Sequence, residues 1–151
     1  YQHLGYVGLN VPRVRSDEFI ATYRALGQAV AQGLVASVHG VYRGGLAVHL
    51  AMVAMGGGLG LHVDLRRIPV ERAGRTDTLL FSESAGRFIV TVDPLRQNEF
   101  EAGFRGLPCV CIGTVTAEPI LRLDGLEGET LTSVAVSELK AAWKQPFGSL
   151  I

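Results

Sequence analysis

The stretch LVASVHGVYRGGLAVHLAMVAMGGG, residues 34–58, decides the fold. Its opening, Leu34 to His39, is short, apolar and β-branched, the composition of a strand. Tyr42 to Gly45 reads as a turn. Leu46 to Met55 then holds only one polar residue, His49, the pattern of a helix buried on most sides. Gly56-Gly57-Gly58 stops it, and Leu59 to Leu65 alternates sides as a strand does. Strand, turn, buried helix and strand form the unit of a layered sheet-and-helix domain.

Working outward, the first fifteen residues carry Gly5, Gly8, Asn10 and Pro12 and read as an irregular lead-in. Ser16 is placed as a helix cap, with Asp17 and Glu18 favoured in the first turn. Phe19, Tyr23, Leu26 and Val30 recur at helical spacing until Gly33. On the other side, Arg66 to Thr78 is polar and loop-like, and Leu79 to Phe81 is read as extended. Arg87 to Val92 is a strand with Phe88, Val90 and Val92 on one face. Asp93-Pro94 starts a helix on which Phe100 and Phe104 meet. Val110 to Val115 and Ile120 to Leu123 are further strands, and Val136, Leu139 and Trp143 mark a last helix. The class is α+β: a mixed β-sheet with helices on its faces, of three-layer α/β/α type.

The chain has 151 residues, 48% hydrophobic and 19% charged, with 14 basic against 14 acidic side chains. That balance gives one compact domain, residues 1–151, and excludes intrinsic disorder. No clustered basic excess exists, which argues against nucleic-acid and membrane-surface roles. No apolar run reaches the ~18 residues a membrane span needs. The start at Tyr1 rather than Met is read as a trimmed or partial chain, and part of the high apolar share as interface with missing portions. Self-association of the isolated chain, as a homodimer, follows as an expectation. Cys109 and Cys111, placed on one face of a strand, read as small buried hydrophobes in a reduced, cytoplasmic setting.

Nineteen glycines require each cluster to be tested as a phosphate loop. Met55 to Gly60 lacks the G-x-G-x-x-G register, and no G-K-[ST] occurs. Val41-Tyr42-Arg43-Gly44-Gly45-Leu46 differs, because a strand leads through a turn into a helix. Its free N–H groups, Arg43 and nearby His39 can meet an anion; equally, Gly44 and Gly45 can serve only close packing. The four histidines lack metal-site spacing, so no metal site is assigned, and His49 reads as a core or interface residue. A second polar cluster, Ser82-Glu83-Ser84-Ala85-Gly86-Arg87, has two readings. Either Glu83 and Arg87 pair across a turn, or Glu83 lines a cleft as an acceptor or magnesium partner.

These clusters carry a family likeness. His39 to Val48 resembles the H-D-[VL]-S-[ED]-G-G-L-A-V segment of the phosphoribosylformylglycinamidine synthase family. Gly58-Leu59-Gly60-Leu61 with Val63-Asp64-Leu65, and Leu80 to Ser84 with Gly86-Arg87-Phe88, are similar to its next two motifs. Leu139-Lys140-Ala141-Ala142-Trp143 is similar to its closing helix. The resemblance implies a C-terminal domain, from the second half of a duplicated chain, like that of aminoimidazole ribonucleotide synthetase. It implies an ATP- and magnesium-using ligase of purine biosynthesis that converts formylglycinamide ribonucleotide to the amidine. It also implies partners: an N-terminal domain of the same chain and a glutaminase subunit supplying ammonia. The catalytic histidines would lie in another domain, so no catalytic residue is assigned here and the isolated chain is expected to be inactive. The implied cleft residues are His39, Arg43, Gly44, Gly45, Glu83, Ser84 and Arg87. Gly40, Tyr42 and Arg43 depart from the family's Asp, Ser and acid, favouring a half-site that binds without metal or does no chemistry. Alternatives are a non-catalytic nucleotide-binding or structural lobe, or a relative such as selenophosphate synthetase, thiamine-monophosphate kinase or a hydrogenase-maturation protein.

Overall fold

The computed structural model describes Gly5, residues 14–70 and residues 74–150. In order these form α1 (Ser16–Ala31), β1 (Ser37–Val41), α2 (Gly45–Gly57), β2 (Gly60–Asp64), α3 (Thr76–Phe81) and β3 (Arg87–Thr91). There follow α4 (Gln97–Ala102), β4 (Gly113–Thr116), β5 (Ile120–Asp124), β6 (Thr130–Ala135) and α5 (Val136–Lys144). Short 3₁₀ turns occupy Leu65–Arg67, Pro94–Arg96 and Gln145–Leu150.

The strands build two sheets. An antiparallel ribbon pairs β1 with β3, setting His39 opposite Ile89. A four-stranded sheet runs β4-β2-β5-β6, with β2 and β5 parallel and the other pairs antiparallel. Helix α2 is apolar nearly all round because it sits at the centre of the larger core. Its Leu46, Leu50 and Ala54 pack with Leu61 and Val63 of β2, Leu121 and Leu123 of β5, and Val136 of α5. A second core joins Leu26 and Ala29 of α1 to Leu34, Phe100 and Phe104. The β1–β3 ribbon separates the two: Val41 and Ile89 face the first, Phe88 and Val90 the second. Helices therefore cover both faces there, as a layered α/β/α arrangement requires. The other face of the four-stranded sheet is polar, with His62, Arg122 and Ser133 exposed and in register.

Several expectations change. Leu79 to Phe81 is helical, the end of α3, because Asp77 favours a helix start and Leu80 is buried against α2. Strand β6 is an addition to the strands that the sequence pattern marks. Residues Val110 to Ile112 precede β4 rather than belong to it, so neither cysteine lies on a strand; Cys109 is half-buried and Cys111 exposed. Arg15, not Ser16, is the cap position of α1, and no side chain caps it. The buried residues of α1 are Leu26 and Ala29, while Tyr23 and Val30 are exposed. Strand β1 begins three residues later than read, at Ser37. Of the lead-in, Gly5, Val14 and Arg15 are described; the rest lies outside the described residues.

Candidate functional site

Two hairpin-like connections, one into α2 and one out of α3, build the site. Gly44 is the cap residue of α2, with φ 95° and no side-chain cap. Its N–H donates instead to Glu83 Oε1 at 2.8 Å. A carboxylate of the chain thus meets the positive end of the helix, where an anion is stabilised. Gly45 allows the approach: at φ 71°, a Cβ there would lie 2.7 Å from Leu80 O and from the Phe81 backbone. The end of α3 abuts the start of α2, and Glu83 follows two residues later.

Arg87 does not pair with Glu83. Its Nε donates to Ser84 O at 3.1 Å and its Nη2 to Ser82 O, the carbonyls on either side of Glu83. The planar guanidinium braces the loop that presents the carboxylate. Burial pulls the Arg87 pKa below the ordinary guanidinium range. The pairing of Glu83 with Arg87 across a turn is therefore replaced by a brace on the backbone. Glu83 and Ser84 are exposed, as is Arg43, which makes no ion pair among the described residues.

His39 stands apart from this group and is tied to it through His49. His39 Nε2 lies 2.8 Å from His49 Nδ1, and His49 Nε2 lies 2.9 Å from the Tyr42 amide. His49 is 5% exposed, a buried polar residue in an apolar helix. Burial, and then the neighbouring His49, hold the His39 pKa below the usual imidazole range. The sequence pattern marks His49 as a core or interface residue, and its burial fits the first, but the pattern does not disclose this role. The available signal was its place ten residues beyond His39, across one turn. His39 also lines a cleft of about 410 Å³ with Ser37, Thr91, Met52, Leu59 and Val115. Ser37 Oγ and Thr91 Oγ1 are hydrogen-bonded there at 2.6 Å.

The residues do not fit magnesium. The Tyr42 ring folds back over Gly40, so that a Cβ on Gly40 would collide with the phenol. Gly40 itself brings no ligand, and a side chain there would require the exposed Tyr42 ring to swing away. Glu83 is partly engaged by Gly44, and no group of three or more metal-ligating side chains occurs among the described residues.

Known proteins resemble this chain in sequence and fold. The family model for AIR synthase related protein, C-terminal domain, matches residues 11–125. The PurL subunit of phosphoribosylformylglycinamidine synthase from Thermococcus gammatolerans is 37% identical over 142 residues, 93% of this chain and 19% of that protein. The Thermococcus kodakarensis subunit is 39% identical over 105 residues, 70% of this chain and 15% of that one. This chain thus spans about a fifth or less of the curated relatives it matches. Among solved structures, T. maritima PurL complexed with FGAR superposes with a TM-score of 0.71 at 24% identity, covering 80% of this chain and 20% of that one. Hydrogenase maturation protein HypE in complex with ATP gives 0.61 at 20% identity, covering 74% of this chain and 39% of that one. With the family model covering most of its length, the chain belongs to the AIR synthase related protein, C-terminal domain family.

Proposed function

We propose that this chain is the C-terminal lobe of a phosphoribosylformylglycinamidine synthase and walls its ligand cleft with the 42–45 turn and the 82–87 loop. The observation that carries the reading is the Gly44 N–H to Glu83 bond at 2.8 Å, which joins two of the family-like segments across 39 residues. In the whole enzyme, ATP activates the amide oxygen of formylglycinamide ribonucleotide as a phosphate ester, and ammonia displaces phosphate. The lobe supplies no base or nucleophile to that sequence. Its part is to orient ligand: Glu83 accepts hydrogen bonds, Arg43 offers charge and Ser84 lies beside Glu83, while His39 lines a neighbouring cleft and is tied to the turn through His49. Magnesium is held elsewhere, since the turn does not suit it. The N-terminal domain of the same enzyme and a glutaminase subunit complete the assembly. The reading places it in the cytoplasm; no helix among the described residues is long and apolar enough to cross a membrane.

A second reading within the family is favoured by the Tyr42 ring over Gly40. It makes this lobe one wall of a half-site that holds ligand without reacting. Deleting the coding region for this chain in its host tests the first reading. The host is expected to require purines and to accumulate formylglycinamide ribonucleotide; growth without purines and no accumulation would overturn it.

A further inference from the structure

We propose that His49 is a positioning residue that fixes His39 as a hydrogen-bond donor toward the cleft, through a proton-ordered chain starting at the Tyr42 backbone amide. A backbone N–H can only donate. At 2.9 Å from His49 Nε2, it requires that nitrogen to be bare. A neutral imidazole with a bare Nε2 carries its proton on Nδ1. That proton faces His39 Nε2 at 2.8 Å, so His39 accepts there and carries its own proton on Nδ1. Nδ1 makes no further hydrogen bond among the described residues, and His39 lines the cleft.

The opposite proton order is available to the rings but not to the backbone. It would direct His49 Nε2–H at Arg43 O, 3.2 Å away, and set the Tyr42 N–H against another N–H. A donor beside a buried histidine would lose its acceptor. Adding a proton to either ring likewise brings two N–H groups face to face, and the burial that lowers the His39 pKa opposes it as well. The tyrosine ring closes the chain from above, edge-on to His49 with centroids 5.7 Å apart. His39 thus offers a neutral N–H to a phosphoryl oxygen, carbonyl oxygen or ring nitrogen, and does not act as a base from Nδ1. Assigning that acceptor to the synthase ligand rests on the proposed function; the proton order does not.

The test is long-range proton–nitrogen NMR of the ¹⁵N-histidine-labelled chain at neutral pH. Both rings are expected as the Nδ1–H tautomer. In His49→Asn, whose amide can still donate to His39, His39 keeps that tautomer while the Tyr42 amide exchanges about tenfold faster. In His49→Leu, His39 turns to Nε2–H. An Nε2 proton on either ring of the unsubstituted chain overturns the proposal, whatever the variants do. Adding formylglycinamide ribonucleotide should shift the His39 Nδ1–H signal. Correct tautomers without that shift leave the relay standing and count against a synthase ligand in the cleft that His39 lines.

Discussion

Arg43 and Gly45 flank the same residue, yet their side chains have opposite consequences. Arg43 is exposed and makes no ion pair among the described residues, so the fold gains little from its charge. Arg43→Ala should leave the melting temperature nearly unchanged. In the synthase proposed above it should weaken phosphate or nucleotide binding by about tenfold or more, the worth of one charge-assisted hydrogen bond of ~1.5–3 kcal/mol. Titration of ligand into that variant checks the point, and a lowered melting temperature with unaltered affinity would make Arg43 structural. Gly45 has no chemistry to lose. Its φ of 71° and the 2.7 Å separation from the Leu80 carbonyl leave no room for a Cβ. Gly45→Ala should therefore destabilise by about 2–4 kcal/mol, combining backbone strain with overpacking against a rigid main chain. Urea unfolding measures it, and a midpoint equal to that of the unsubstituted chain would mean that α2 and α3 shift apart easily.

Strands β2, β5 and β6 carry a polar network on their uncovered face. His62 Nε2 meets Asp124 Oδ2 at 2.6 Å, and Arg122 Nε donates to Asp124 Oδ1 at 3.0 Å. The bond from His62, followed by that from Arg122, holds the Asp124 pKa at about 2, below its ordinary 3.8. A depressed carboxylate favours the fold wherever it is ionised there. The contribution is complete above the unfolded value of 3.8 and is lost as pH falls through about 2. Asp124→Asn should lower the urea midpoint at about pH 5, and the gap should close as pH approaches about 2. A gap independent of pH would assign Asp124 a packing role instead. The same elements show what sequence alone discloses. Helix α2 was legible because an apolar run ends in three glycines. Helix α3 was not, because Leu79-Leu80-Phe81 alone looks extended and its helical state depends on packing beside Gly45, a contact between distant segments. Strand β6 was hidden by weak alternation; its signal was the Gly125 to Gly128 turn, closed by Gly125 N–H to Glu129 O at 2.7 Å. At the site, Glu83 and Gly44 were both legible as residues, but their contact needed the tertiary fold, and apolar neighbours concealed the role of His49.

At the scale of the whole molecule, two separate clusters of buried residues form the cores, and an open cleft lies between the sheets. Among the described residues β1 pairs only with β3, and β4 only with β2, so one edge of each strand is open. Both strands line the same cleft, β1 through Ser37, Val38 and His39 and β4 through Val115. Four apolar side chains around it remain substantially exposed: Val38 at 40%, Met52 at 38%, Leu59 at 44% and Val115 at 46%. Open strand edges beside an apolar surface are a template for pairing with another chain. The isolated chain should therefore associate with a second copy through this face and bind a hydrophobic dye. Val115→Lys places a charge on the β4 edge without disturbing a buried contact, so it should shift sedimentation toward monomer and leave the melting temperature close to that of the parent. If the parent chain sediments as a monomer at all concentrations and takes up no dye, this surface is closed in solution. If Val115→Lys associates as strongly as the parent, the contact lies elsewhere, with the exposed Trp143 and Phe147 of the C-terminal segment the next surface to substitute.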